Sequence, residues 1–141
     1  MSLQNPNLKH LRACLAVARR QSISAAAEDV YMSQPAVTQA VAKVERLLGV
    51  ELFDRRPEGV FVTEPGKIFV RRVERLQDYL VQATAEIMRL GRRNRGHQVK
   101  LYQLVTGVQL RALIAISEAG SFSLAARNVG VPVMLAAAGF L

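Results

Sequence analysis

The sequence predicts a mainly α-helical protein, with three short helices followed by a β-hairpin and one long helix. Three observations carry that expectation. Apolar residues recur at helical spacing through residues 8–48, two short β-type runs flank a turn holding Pro57 and Gly59, and a heptad-like apolar stripe runs from Phe69 to Leu90. Composition agrees: of 141 residues 50% are hydrophobic, 21% charged and only 6% aromatic, with no Trp, so the core must be built from Ala, Val, Leu and Ile.

Leu8, Leu11, Leu15 and Ala18 define a first amphipathic helix from about Pro6 to Arg20. Gln21-Ser22 interrupts it, and Ser22 is a good N-cap for a short alanine-rich helix, Ile23 to Val30. Tyr31-Met32 then makes a tight turn. Ser33 offers a second cap, with Pro35 just inside the helix start, where a missing N–H costs nothing. The third helix runs from Gln34 to about Leu48, with Val37, Val41, Val44 and Leu48 as its apolar stripe and Gly49 as a left-handed stop. Glu51-Leu52-Phe53 and Val60-Phe61-Val62 read as a short hairpin turning at Arg56–Gly59.

Thr63 caps the long helix, with Pro65 in its first turn. Phe69, Val73, Leu76, Leu80, Ala83, Ile87 and Leu90 follow at spacings of 4, 3, 4, 3, 4 and 3, the a/d seam of a coiled coil. Glu64 to Leu90 at helical rise is about 40 Å. A domain of some 60 residues cannot cover a stripe of that length, so a second copy is its natural partner and these residues are assigned to dimerisation. Gly91-Arg92-Arg93-Asn94-Arg95-Gly96-His97 reads as a solvated basic linker, with phosphate contact as the minor option.

An internal repeat follows. Leu11–Met32 lies over Leu110–Val131 with 9 of 22 residues identical, including Leu-Arg-Ala at both starts and the Ser-x-Ser at 22–24 and 121–123. The second copy stops short: where the first has Ser33-Gln34-Pro35-Ala36-Val37-Thr38-Gln39, it has Pro132-Val133-Met134-Leu135-Ala136-Ala137-Ala138, with no polar face. The expected organisation is a winged helix-turn-helix over 1–63, a dimerisation helix over 64–92, a linker over 93–107 and a partial second helix-turn-helix over 108–141.

A net charge of +8 favours a polyanionic partner, nucleic acid first and an anionic membrane second. No stretch reaches the ~18–20 apolar residues of a membrane span, and the N-terminus has no apolar signal segment, so a soluble, cytoplasmic protein is expected. One cysteine, Cys14, excludes an internal disulfide and fits a reducing compartment; among Leu11, Leu15 and Ala18 it reads as a structural thiol. His10 and His97 lack companion metal ligands, and no phosphate loop or Ser/His/Asp grouping occurs. Neither an enzyme nor a bound cofactor or metal is expected.

The third helix carries the chemistry. A helix that reads the DNA major groove must bury one face in its own domain and present short polar side chains on the other, its first turn towards the bases. Val37, Val41 and Val44 turn inward while Gln34, Thr38, Gln39 and Lys43 stay outward. Gln suits adenine edges, Thr offers a hydroxyl and a methyl for thymine, Lys43 suits a phosphate, and Ser33 can cap the helix and touch the backbone. Arg55 and Arg56 beside the hairpin turn suit the sugar-phosphate rail or the minor groove. Arg12, Arg19 and Arg20 read as solvated helix charges.

The run Leu11-Arg12, Ser22-Ile23-Ser24-Ala25-Ala26-Ala27, Ser33-Gln34-Pro35-Ala36-Val37-Thr38-Gln39 and Glu45-Arg46-Leu47-Leu48-Gly49-Val50-Glu51-Leu52-Phe53-Asp54-Arg55 resembles the signature of LysR-type transcriptional regulators. The likeness continues through Thr63-Glu64-Pro65-Gly66 into the long helix, about 85 residues in all. It implies a winged helix-turn-helix dimerised by its linker helix and bound to an interrupted inverted repeat in promoters. It also implies base contacts from Gln34, Pro35, Thr38 and Gln39, and backbone or minor-groove contacts from the wing arginines. Family members often carry arginine where this chain has Gln39, a departure that bears on one phosphate or guanine contact. The family usually continues into a two-lobed α/β ligand-binding domain. Here a half-copy of the DNA-binding domain follows instead, so no small-molecule effector is assignable, and the chain is either a piece of a longer tandem regulator or a naturally short one. The expected partners are double-stranded promoter DNA and a second copy, as a homodimer, with a tetramer as a further option. The rival reading is an oligomerisation module that antagonises a full-length regulator through mixed dimers.

Overall fold

The computed structural model describes residues 7–90 and 105–120, which fall in two compact units, Met1–Gln103 and Leu104–Leu141. The first unit runs α1 (Leu8–Arg20), α2 (Ile23–Asp29), α3 (Gln34–Leu48), β1 (Phe53–Arg56), β2 (Gly59–Val62) and α4 (Glu64–Leu90). The basic linker, including Arg92, Arg93, Arg95 and His97, and the repeat beyond Gly120 lie outside the described residues.

Capping decides where each helix begins. α1 starts at Leu8 rather than near Pro6 because Asn7, in extended conformation, accepts the Lys9 N–H on its side chain at 2.9 Å. Ser22 and Ser33 cap α2 and α3, accepting the amides of Ala25 and Ala36, each at 3.3 Å. α3 ends at Gly49 with φ 71, where a side chain would be strained. α2 ends at Asp29, one residue early, with Val30 as its C-cap.

The three helices close on a core of Cys14, Leu15 and Val17 from α1, Ala26 and Ala27 from α2, and Val37, Ala40, Val41 and Val44 from α3, with Leu52 sealing the end. Small side chains let the backbones approach closely, and each buried valine or leucine contributes roughly 1.5–3 kcal/mol. Burial pushes the Cys14 thiol up to about 12, with the Glu45 carboxylate adding to the effect, so the thiol stays protonated.

The hairpin is antiparallel and pairs Phe53 with Val62, Asp54 with Phe61, Arg55 with Val60 and Arg56 with Gly59, leaving Pro57-Glu58 as the turn. The first strand therefore lies two residues later than the sequence predicts. Glu51 and Leu52 are not in the ladder because Leu52 is bonded elsewhere: its N–H donates to Glu45 Oε1 at 2.8 Å and its carbonyl accepts the Thr63 N–H at 3.0 Å. Val60 N–H donates to the Gln21 carbonyl at 3.1 Å, tying the wing to the C-cap of α1.

Thr63 joins wing to long helix. Its Oγ1 donates to the Glu51 carbonyl at 2.8 Å and accepts the Gly66 N–H at 3.1 Å. α4 then lies along α1, with Val73 only 6% exposed and Phe69, Leu76 and Leu80 half-buried. Beyond Leu80 nothing among the described residues covers the stripe: Ile87 is 61% and Leu90 85% exposed, and Ala83 is exposed too.

In the second unit the described residues form one helix, α5 (Gly107–Ala119), with a capping box from Thr106 and Gln109 and a left-handed C-cap at Gly120. Its first residue, last residue and both caps sit 99 positions after those of α1, from Asn7 to Gln21. The offset between the two helices equals that of the sequence match. Ala112 and Ala115 are buried, as are their counterparts Ala13 and Ala16.

Candidate nucleic-acid interface

α3 is held by its valines and presents its other side outward. Val37, Val41 and Val44 are at most 2% exposed, whereas Ser33, Gln34, Pro35, Gln39 and Lys43 are exposed and Thr38 half-buried at the edge of the stripe. The exposed first turn combines polar side chains with amide groups that carry the positive end of the helix dipole, a combination suited to a groove edge and its phosphates. Arg46, two helical turns beyond Gln39, is exposed as well and was not assigned a DNA contact from sequence.

Electrostatics on this side are positive. The His10 imidazole is pushed below its ordinary value by burial first, then by the Lys43 and Lys9 ammonium groups. Arg19 and Arg20 are not idle solvated charges: Arg19 pairs with Glu74 at 3.3 Å and Arg20 with Asp29 at 3.5 Å. Both pairs are half exposed, so each contributes at most about 1 kcal/mol, and they dock α1 to α4 and to α2.

The two wing arginines differ. Arg56 donates from Nε to Asp54 Oδ2 at 2.7 Å, and its guanidinium lies 5.1 Å from the Phe61 ring centroid, so it is held in place along the hairpin. Arg55 is paired in register with Val60, hence on the opposite hairpin face, and makes no ion pair among the described residues. One arginine is preorganised and the other available.

Glu45 is the residue sequence reasoning passed over. From the last turn of α3 its Oε1 accepts both Leu52 N–H at 2.8 Å and Phe53 N–H at 3.2 Å. It ties the polar helix to the wing.

Among the described residues no group of three or more His, Cys, Asp or Glu is placed to hold a metal ion, and no helix is long and apolar enough to cross a membrane.

A short helix, a tight turn and an outward-facing polar helix, backed by a two-stranded wing, define a winged helix-turn-helix domain of the DNA-binding class. Residues 8–67 match the family described as bacterial regulatory helix-turn-helix protein, lysR family. The chain therefore carries a helix-turn-helix domain of the lysR type at its N-terminus. Among curated relatives, the HTH-type transcriptional regulator PcaQ of Agrobacterium fabrum is 34% identical over 84 residues, 60% of this chain and 27% of that protein. The glycine cleavage system transcriptional activator of Escherichia coli is 33% identical over 87 residues, 62% of this chain and 28% of that one. The chain thus spans little more than a quarter of the length of these relatives. The BenM DBD, solved in complex with catB site 1 DNA, superposes with a TM-score of 0.58 at 27% identity, over 62% of this chain and 98% of that one.

Proposed function

We propose that this protein is a sequence-specific, double-stranded DNA-binding transcription regulator of the LysR type, acting in the cytoplasm as a dimer on promoter inverted repeats. The observation that carries the reading is the division of α3, valines inside and Gln34, Gln39 and Lys43 outside, behind a Ser33 cap. In the proposal Gln34, Pro35, Thr38 and Gln39 meet base edges, Ser33 and Lys43 meet phosphates, and Arg55 and Arg56 hold the rail or minor groove beside the wing. The solved likeness to the BenM DBD in its DNA complex supports the same use of the domain.

The test is binding to a duplex selected on the wild-type protein from a random-sequence pool. Gln34→Ala combined with Thr38→Ala removes two base contacts of about 1–3 kcal/mol each, so affinity is expected to fall at least thirtyfold while circular dichroism stays unchanged. Unaltered affinity in the double variant would refute the direct reader.

Dimerisation is assigned to the α4 stripe, with the exposed stretch Ala83, Ile87 and Leu90 as its free half. Leu47 and Leu48, exposed beside a cleft of about 220 Å³ lined also by Phe69, Val73 and Leu76, extend that apolar surface. Ile87 is 61% exposed, so the expected result of Ile87→Lys is a monomer by sedimentation that keeps the helical circular dichroism of wild type, with any fall in melting temperature being that of the lost dimer. A mass equal to that of the wild-type dimer would place the interface elsewhere. The remaining boundaries, a 93–107 linker and a partial second helix-turn-helix over 108–141, stand as part of the proposal, supported by α5.

A further inference from the structure

Tyr31 is the described residue whose conformation and exposure the fold does not account for. It is one of two non-glycine residues among those described with positive φ, at 54°, the other being Gln21. Gln21 has structural employment there, capping α1 and receiving the Val60 amide on its carbonyl. At Tyr31 only the backbone is used: its N–H donates to the Glu28 carbonyl at 3.3 Å, and the next amide, of Met32, donates to Ala27 at 3.0 Å. Glycine or asparagine would make that turn with less strain. Instead the position holds an aromatic ring that is 95% exposed, with no partner for its hydroxyl among the described residues.

The place of the ring supplies the missing reason. Tyr31 lies two residues ahead of the Ser33 cap and three ahead of Gln34, both exposed, in a turn whose backbone bonds fix the direction of its Cα–Cβ bond. When the first turn of a groove-entering helix meets base edges, the helix before it crosses the sugar-phosphate backbone, and Tyr31 stands where α2 and α3 are joined. Phosphate oxygens only accept hydrogen bonds, and a phenol donates one while its ring packs on the adjoining sugar. We infer that Tyr31 is a further DNA-contacting residue, its hydroxyl donating to a phosphate beside the groove that α3 enters. This rests on the DNA-binding reading above. The contact positions α3 and reads no base.

The experiment compares Tyr31→Phe and Tyr31→Asn with wild type on two duplexes, the pool-selected one and a mixed-sequence one of equal length. Tyr31→Phe is expected to weaken binding roughly 3–10-fold on both alike, as loss of one hydrogen bond would. Tyr31→Asn is expected to weaken it further while melting no lower than wild type, because asparagine tolerates the left-handed backbone. In parallel, nitration of Tyr31 with tetranitromethane should be suppressed by the duplex while Tyr79, on α4, still reacts. Wild-type affinity in both variants, or equal nitration of Tyr31 with and without duplex, overturns the inference; if the Gln34/Thr38 double variant still loses binding, the DNA-binding reading survives. A loss confined to the selected duplex also overturns it, since that marks a base contact. Failure of the wild type to bind either duplex removes both.

Discussion

Gly66→Ala is expected to lower the melting temperature of the domain by roughly 15 °C, as followed by circular dichroism at 222 nm. A Cβ at this position would fall on the Leu52 carbonyl oxygen and 2.8 Å from Val62 Cγ1. Alanine gains about 1 kcal/mol of helix propensity over glycine, but the obstacle is backbone and cannot rotate away. α4 would have to lift, breaking the Thr63 Oγ1 bond to Gly66 N–H and the Thr63 N–H bond to Leu52. Overpacking of that kind costs up to about 3 kcal/mol and sometimes more, and each kcal/mol is worth about 4–8 °C in a domain of this size. A melting point equal to or above wild type would mean that the helix junction is far softer than its hydrogen bonds indicate.

The second large effect belongs to Glu45. Glu45→Ala strips two part-buried amides, those of Leu52 and Phe53, of the one carboxylate oxygen they share. Hydrogen bonds to a charged group are worth about 1.5–3 kcal/mol, and unsatisfied donors add a similar penalty, so a loss near 3 kcal/mol is expected in urea unfolding. Glu45→Gln retains an oxygen at the same place and should recover most of it. The two variants thereby separate hydrogen bonding from charge. DNA affinity should follow, because the wing loses its tie to α3. Equal stability of Glu45→Ala and wild type would show that water replaces the carboxylate without cost.

The helices were legible in sequence because their signals are local. Ser22, Ser33 and Gly49 mark ends with side chains or backbone geometry that act within four residues, and the valine spacing of α3 fixes its inward face. The same spacing placed Gln34, Gln39 and Lys43 outside, though it could not foresee that Thr38 sits half-buried at the margin. What sequence missed was non-local. The start of β1 depends on Glu45 taking two amides seven and eight residues away, and no pattern in residues 51–56 encodes that. Arg55 and Arg56 read as one basic pair, but strand alternation sends them to opposite faces, and Asp54 with Phe61 claims only Arg56. The α4 seam looked continuous; α1 covers its first half, a partition set by where the small domain ends. Asn7 escaped notice because a single asparagine beside Pro6 is an ordinary loop residue until its side chain is seen on the Lys9 amide.

The junction at Thr63 and Gly66 has a consequence for spacing. α4 leaves the domain with no slack, so two domains joined along the free ends of their long helices would sit at a separation set by helix length, much as calliper jaws are set by their arm. Because each helical residue adds about 1.5 Å and turns the chain about the helix axis by about 100°, that separation changes only in coupled steps of reach and rotation. The gap between two half-sites on a duplex would then be prescribed by residues that never approach it.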